Sequence, residues 1–183
     1  MADYKDIGGK TVQDLDAPKI LLDLAALYPS MGSPVGRRER FTSLSAYPDI
    51  AIPLLISKAK SDHDVERLAE VAELFSSMGS ALSSLYEHFT QYGESWSPCF
   101  IESVLRAIRW SSHTRTESGN QQLVTMISRW MSSTDPDVRQ AVAETLAAMP
   151  ADRARSMLGT MQSTESDRDV LDAIDESIQY FSR

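Results

Sequence analysis

The sharpest pattern of apolar and polar positions lies at residues 135–149. Val138, Ala141, Val142, Thr145, Leu146 and Met149 fall three and four apart, which places them on one face of a helix. The ends of that helix are also written in the sequence. Asp135 can accept hydrogen bonds as an N-cap, Pro136 takes the first helical position where its missing N–H costs nothing, and Asp137 sets negative charge beside the positive end of the dipole. Pro150 stops the turn. The stripe is narrow and built from small side chains, so its neighbours must approach closely.

The same period runs along most of the chain. After a flexible lead at residues 1–13, helices are predicted through Ile20 to Tyr28, stopped by Pro29, and through Phe41, Leu44 and Tyr47, stopped by Pro48. Residues 50–60 follow, with Pro53 expected in the first turn, and then 64–78, capped by Asp62 and ended by Gly79. Leu82 to Tyr92 is closed by Gly93, and Ser97-Pro98 restarts the chain for Ile101, Val104, Leu105 and Ile108. Residues 111–120 read as a polar loop, and helices are predicted at 121–131, 136–149, 151–161 and 167–181. No stretch alternates apolar and polar residues between turns, so no strand is predicted.

Aligned on the first apolar residue after an acidic cap, the longer helices give Val65, Ile101, Val138 and Val170, at intervals of 36, 37 and 32 residues. The residues three and four beyond each anchor are Leu68 and Ala69, Val104 and Leu105, Ala141 and Val142, and Ala173 and Ile174, all apolar. A shorter partner precedes each anchored helix. A hairpin of this size cannot cover its own apolar face, and stacking on neighbours makes it stable. The chain therefore reads as all-α, a short α-solenoid of about four to five helical hairpins. Its single domain spans 14–183, with repeats near 14–47, 48–79, 80–112, 119–149 and 150–183.

At this point the sequence resembles the HEAT-repeat (HEAT/armadillo-like) family, a resemblance that implies a short right-handed α-solenoid. Asp135-Pro-Asp-Val-Arg-Gln-Ala-Val-Ala-Glu-Thr-Leu is similar to the family's second-helix consensus, and the runs from Asp62 and Asp167 match in part. The resemblance implies that Asp137 and Arg139 join a structural polar ladder between repeats, and that the second helices line the concave side. Their outward positions, Arg67, Glu70, Glu102, Arg106, Arg109, Gln140, Glu144 and Asp172 among them, are then the candidate partner surface, mixed in sign and mainly acidic. A protein partner of basic character fits it, as does the plainer reading of solvated helix faces.

Charge and chemistry narrow the functions. A net charge of −8 argues against broad contact with nucleic-acid phosphates or an anionic membrane. The single cysteine, Cys99, excludes an internal disulfide and fits a reducing compartment. Residues 1–12 carry Asp3 and Asp6 where a signal peptide needs a basic start, and no apolar run approaches the roughly 18 residues that span a bilayer. The expected location is cytoplasmic. His63, His88 and His113 form no tight pair, and no nucleophile elbow, phosphate loop or zinc-protease motif occurs. No catalytic, metal or cofactor residue is predicted.

Two further features are candidates for binding. Trp96, in the turn after Gly93, is read as an exposed aromatic that can anchor a partner. Arg37, Arg38 and Arg40 are the densest positive group, able to dock an acidic partner or phosphate, against the plainer reading of a solvated loop. The expected function is a non-enzymatic protein-interaction module, a scaffold, adaptor or assembly subunit. The alternatives are a HEAT-like enzyme, resembling the DNA glycosylases or the paired lyases that attach bilins, and a structural homo-oligomer subunit.

Overall fold

The computed structural model describes residues 48–64, 68, 69, 71, 72, 75, 82–109 and 117–181. Among these residues are seven α-helices and no strand: α1 (Pro48–Ala59), α2 (Leu82–Tyr92), α3 (Pro98–Arg109), α4 (Glu117–Ser128), α5 (Pro136–Leu146), α6 (Ala151–Thr164) and α7 (Arg168–Tyr180). Leu68, Ala69, Val71, Ala72 and Phe75 are also helical. Helices α3, α5 and α7 lie side by side as one layer. In the other, α1 lies beside α2 and α2 beside α4, while α6 packs on α5 and α7. The expected all-α array of stacked, HEAT-like helical hairpins is what forms.

One local device starts the anchored helices. The Asp135 carboxylate accepts from the N–H groups of Asp137 (3.0 Å) and Val138 (3.4 Å), and the Asp167 carboxylate accepts from those of Asp169 (3.0 Å) and Val170 (3.3 Å). Asp62 receives the Asp64 N–H at 3.0 Å in the same way. Each bond satisfies a donor that the first helical turn leaves without a partner. Ser97 caps α3 by accepting the Phe100 N–H at 3.2 Å, and its own hydroxyl donates to the Asp62 carbonyl at 2.9 Å. The Ser97 N–H reaches the Lys60 carbonyl at 2.8 Å, so the start of one repeat is fastened to the turn of the one before.

Small residues set the spacing of the α3, α5 and α7 layer. Ala141 and Ala143 on α5 are fully buried, and Ala173 on α7 is nearly so. With so little side chain between them the backbones come within reach of short hydroxyls. Thr145 shares its one proton between the Leu105 carbonyl of α3 (3.0 Å) and the Ala141 carbonyl of its own helix (2.6 Å). Ser177 of α7 donates to the Ala143 carbonyl of α5 at 3.0 Å. Each carbonyl has a second lone pair free for this bond.

Through the core, aromatic rings run in a chain. Phe75 and Phe100 have centroids 6.5 Å apart, Phe100 and Trp96 4.8 Å, Trp96 and Phe89 5.0 Å, and Phe89 and Trp130 5.4 Å, the last two edge to face. Gly93 permits the last step, because a Cβ there would stand 2.9 Å from Trp130 Cζ2.

Several helix ends differ from the expected ones. Helix α1 begins at Pro48, so Pro53 lies inside the helix and not in its first turn. The lost backbone bond is tolerated because Ile52, Leu55, Ile56 and Ala59 are buried on one face. Helix α4 starts at Glu117, within the stretch read as loop, since a helical turn needs backbone bonds and not apolar side chains. Helix α5 stops at Leu146, and the Ala148 and Met149 N–H groups bond three residues back, which tightens the turn and keeps Met149 buried. Helix α6 extends to Thr164, where serine and threonine hydroxyls bond carbonyls one turn back.

Two outcomes test the packing account by urea unfolding. Ala143→Leu should cost about 1–3 kcal/mol by forcing α5 and α7 apart, and Thr145→Val about 1 kcal/mol through its lost hydroxyl bonds. Gly159, exposed inside α6 with nothing beyond its chain neighbours and its own helix backbone within 4 Å of an added Cβ, should behave oppositely. Gly159→Ala should raise stability by about 0.5–1 kcal/mol.

Candidate functional site

The anchored helices present a repeating polar face. Because Val138 and Val170 occupy equivalent positions, Asp137, Gln140 and Glu144 of α5 correspond to Asp169, Asp172 and Glu176 of α7, each 32 residues on. Asp137, Asp169, Asp172 and Glu176 are exposed, and Gln140 and Glu144 are half-buried. Carboxylates therefore recur at two matching positions, 137 with 169 and 144 with 176, on α5 and α7.

Helix α3 extends this face. Arg106 Nη2 lies 2.9 Å from Glu102 Oε1, and Arg109 Nη1 donates to Glu144 Oε2 at 3.0 Å across the α3–α5 interface. Gln140 Nε2 donates to the other Glu144 oxygen at 3.1 Å. Burial pushes the Glu102 carboxyl up from its ordinary value; Arg106 opposes this, while the nearby charges of Asp137, Asp135 and Glu144 add to it. A carboxylate whose surroundings disfavour its charge gains when a cation approaches. The face is suited to receiving Lys or Arg side chains, each exposed pair contributing about 0–1 kcal/mol and the summed field mainly steering the encounter.

Arg139 faces a different partner. Its Nε and Nη2 donate to Glu165 Oε2 (2.7 Å) and Oε1 (2.9 Å), and its Nη1 donates to the Ser133 carbonyl (2.7 Å). Glu165 Oε1 also accepts the N–H groups of Ser166 and Asp167, both at 2.9 Å. The two side chains are 16% and 5% exposed, so this forked pair fixes the loop that leads into α7. Asp137 lies apart from it, with its side chain on the open face and its N–H bonded to Asp135. Glu165 was not singled out in the sequence; the signal was a carboxylate two residues before the Asp167 cap.

Trp96 requires a correction. It does not project from its turn but is 5% exposed, wedged between the Phe89 and Phe100 rings, because the three residues after α2 form a 3-10 turn that folds the indole inward. It offers no anchor to a partner. Arg37, Arg38, Arg40, Arg67 and Glu70 lie outside the described residues. His63 is exposed, and His88 is half-buried beside Tyr92, with ring centroids 5.9 Å apart. Among the described residues no three His, Cys, Asp or Glu side chains converge as metal ligands, and no helix is long and apolar enough to cross a membrane. An open groove of about 660 Å³ lies between α2 and α4, lined by Tyr86, Glu87, Thr90, Gln91, Gln121 and Thr125. Tyr86 is 2% exposed, and its burial raises the phenol above its ordinary range.

No family model and no curated protein matches the chain. Among solved structures, it is similar to a chain in the complex of CpcE and CpcF of phycocyanin lyase from Nostoc sp. PCC7120. The two are 15% identical, with a TM-score of 0.58, over 88% of this chain and 99% of the other. This likeness establishes a shared helical-repeat architecture. It also corrects the expectation of a non-enzymatic chain, since the same architecture serves in the complex of a lyase.

The Arg139–Glu165 pair carries a pH prediction. Hydrogen bonding to Arg139, aided by the Asp167 and Ser166 N–H groups against burial, lowers the Glu165 carboxyl from 4.5 to about 2. A depressed folded-state value stabilises the fold above the unfolded value, and that stability disappears as pH falls. Glu165→Gln should therefore unfold at lower urea than the wild type at pH 7, with the gap closing between pH 4.5 and about 2. A constant gap across that range would disprove the assignment.

Proposed function

We propose that the chain is a subunit of a bilin-lyase-like assembly, working in the cytoplasm, in which the face of α3, α5 and α7 holds a protein partner of basic character. The observation that carries this reading is the likeness to a chain of the CpcE and CpcF complex over 99% of that chain's length and 88% of this one. A match of that extent supports a function suited to the whole array and not to one borrowed hairpin. The complex named is itself a pairing of two different chains, which supports a protein partner here. The recurring carboxylates Asp137, Glu144, Asp169, Asp172 and Glu176 support the basic character of what docks, because opposite charge steers and orients a partner.

The test is a reconstitution. The purified chain is mixed with a linear tetrapyrrole and chromophore-free phycocyanin subunits, with and without a second helical-repeat chain from the same source. Pigment should stay on the acceptor through denaturing electrophoresis only when both repeat chains are present, and light scattering should show the two as one complex. Absence of pigment transfer, with the chain remaining alone in every mixture, would overturn the proposal. Reversing charge with Asp137→Lys, Asp172→Lys and Glu176→Lys together should weaken partner binding about tenfold, or ~1.4 kcal/mol, at low salt. The folded circular dichroism spectrum should be retained, since these side chains lie on the open face.

A further inference from the structure

We draw no further inference here: the strongest candidate, the open groove between α2 and α4 lined by Tyr86, Thr90, Gln121 and Thr125, has nothing in the structure to show what covers it.

Discussion

The structure depends on how closely α3, α5 and α7 approach one another. Alanines at 141, 143 and 173 remove the bulk that would separate the helices, and Thr145 and Ser177 then reach carbonyls of the preceding helix. The two features need each other. Without small residues the hydroxyls would fall short, and without hydroxyls the tight contact would rest on dispersion alone, which adds little for a methyl group. The same logic joins Ser97 to Asp62 one repeat earlier, with a turn in place of a helix face. The three repeats that carry Ser97, Thr145 and Ser177 are thus each positioned by a short polar bond to the backbone of the predecessor, and a backbone acceptor keeps its place whatever side chain the predecessor carries.

This spacing decides what the remaining surface can be. Helices brought together through their small faces turn their longer polar residues outward in register. Asp137 and Asp169, and Glu144 and Glu176, recur at matching positions because the repeat recurs. The largest core residues form a second seam, where Phe75, Phe100, Trp96, Phe89 and Trp130 pass from one repeat to the next. The small-residue contacts of α5 and α7 and the aromatic chain meet at α3, which carries Phe100 and the Leu105 carbonyl that Thr145 reaches. Gly93 shows how closely the aromatic chain is fitted, since one added carbon would meet the Trp130 ring. The Trp130 Nε1 is buried and has no hydrogen-bond partner among the described residues, so shape complementarity outweighs a polar cost at that position.

Much of this was legible in the sequence because it is local. The caps at Asp62, Asp135 and Asp167 depend on residues two and three positions away, and the apolar stripes depend on a period of one helical turn. Their sum predicts the helices and their stacking. What a local pattern does not carry is the direction in which a turn points. Trp96 follows a glycine and a glutamate, the composition of an exposed turn, yet the 3-10 turn at Gly93–Ser95 folds its ring into the core. Partner choice over distance is hidden for a similar reason. The family resemblance marks Arg139 for a polar ladder without naming its partner, and Glu165 lies 26 positions away in a loop whose path only the stacked helices define. The comparison with a lyase chain lies beyond both kinds of pattern, since at 15% identity the likeness is carried by the helix arrangement.

The electrostatics of the open face bear on what kind of docking it suits. Arg106 and Arg109 engage Glu102 and Glu144, so the α3 end of the face is partly neutralised, whereas the α7 end presents Asp169, Asp172 and Glu176 in the open. Exposed charges are screened beyond about 8 Å at physiological salt. A basic partner approaching this face would therefore feel the α7 end first and most strongly. Exposed ion pairs contribute little to final affinity, so this gradient acts on approach and orientation more than on holding. Within the proposed assembly, that division suits a face that orients its partner, while the tightly spaced layer beneath keeps the carboxylates in register.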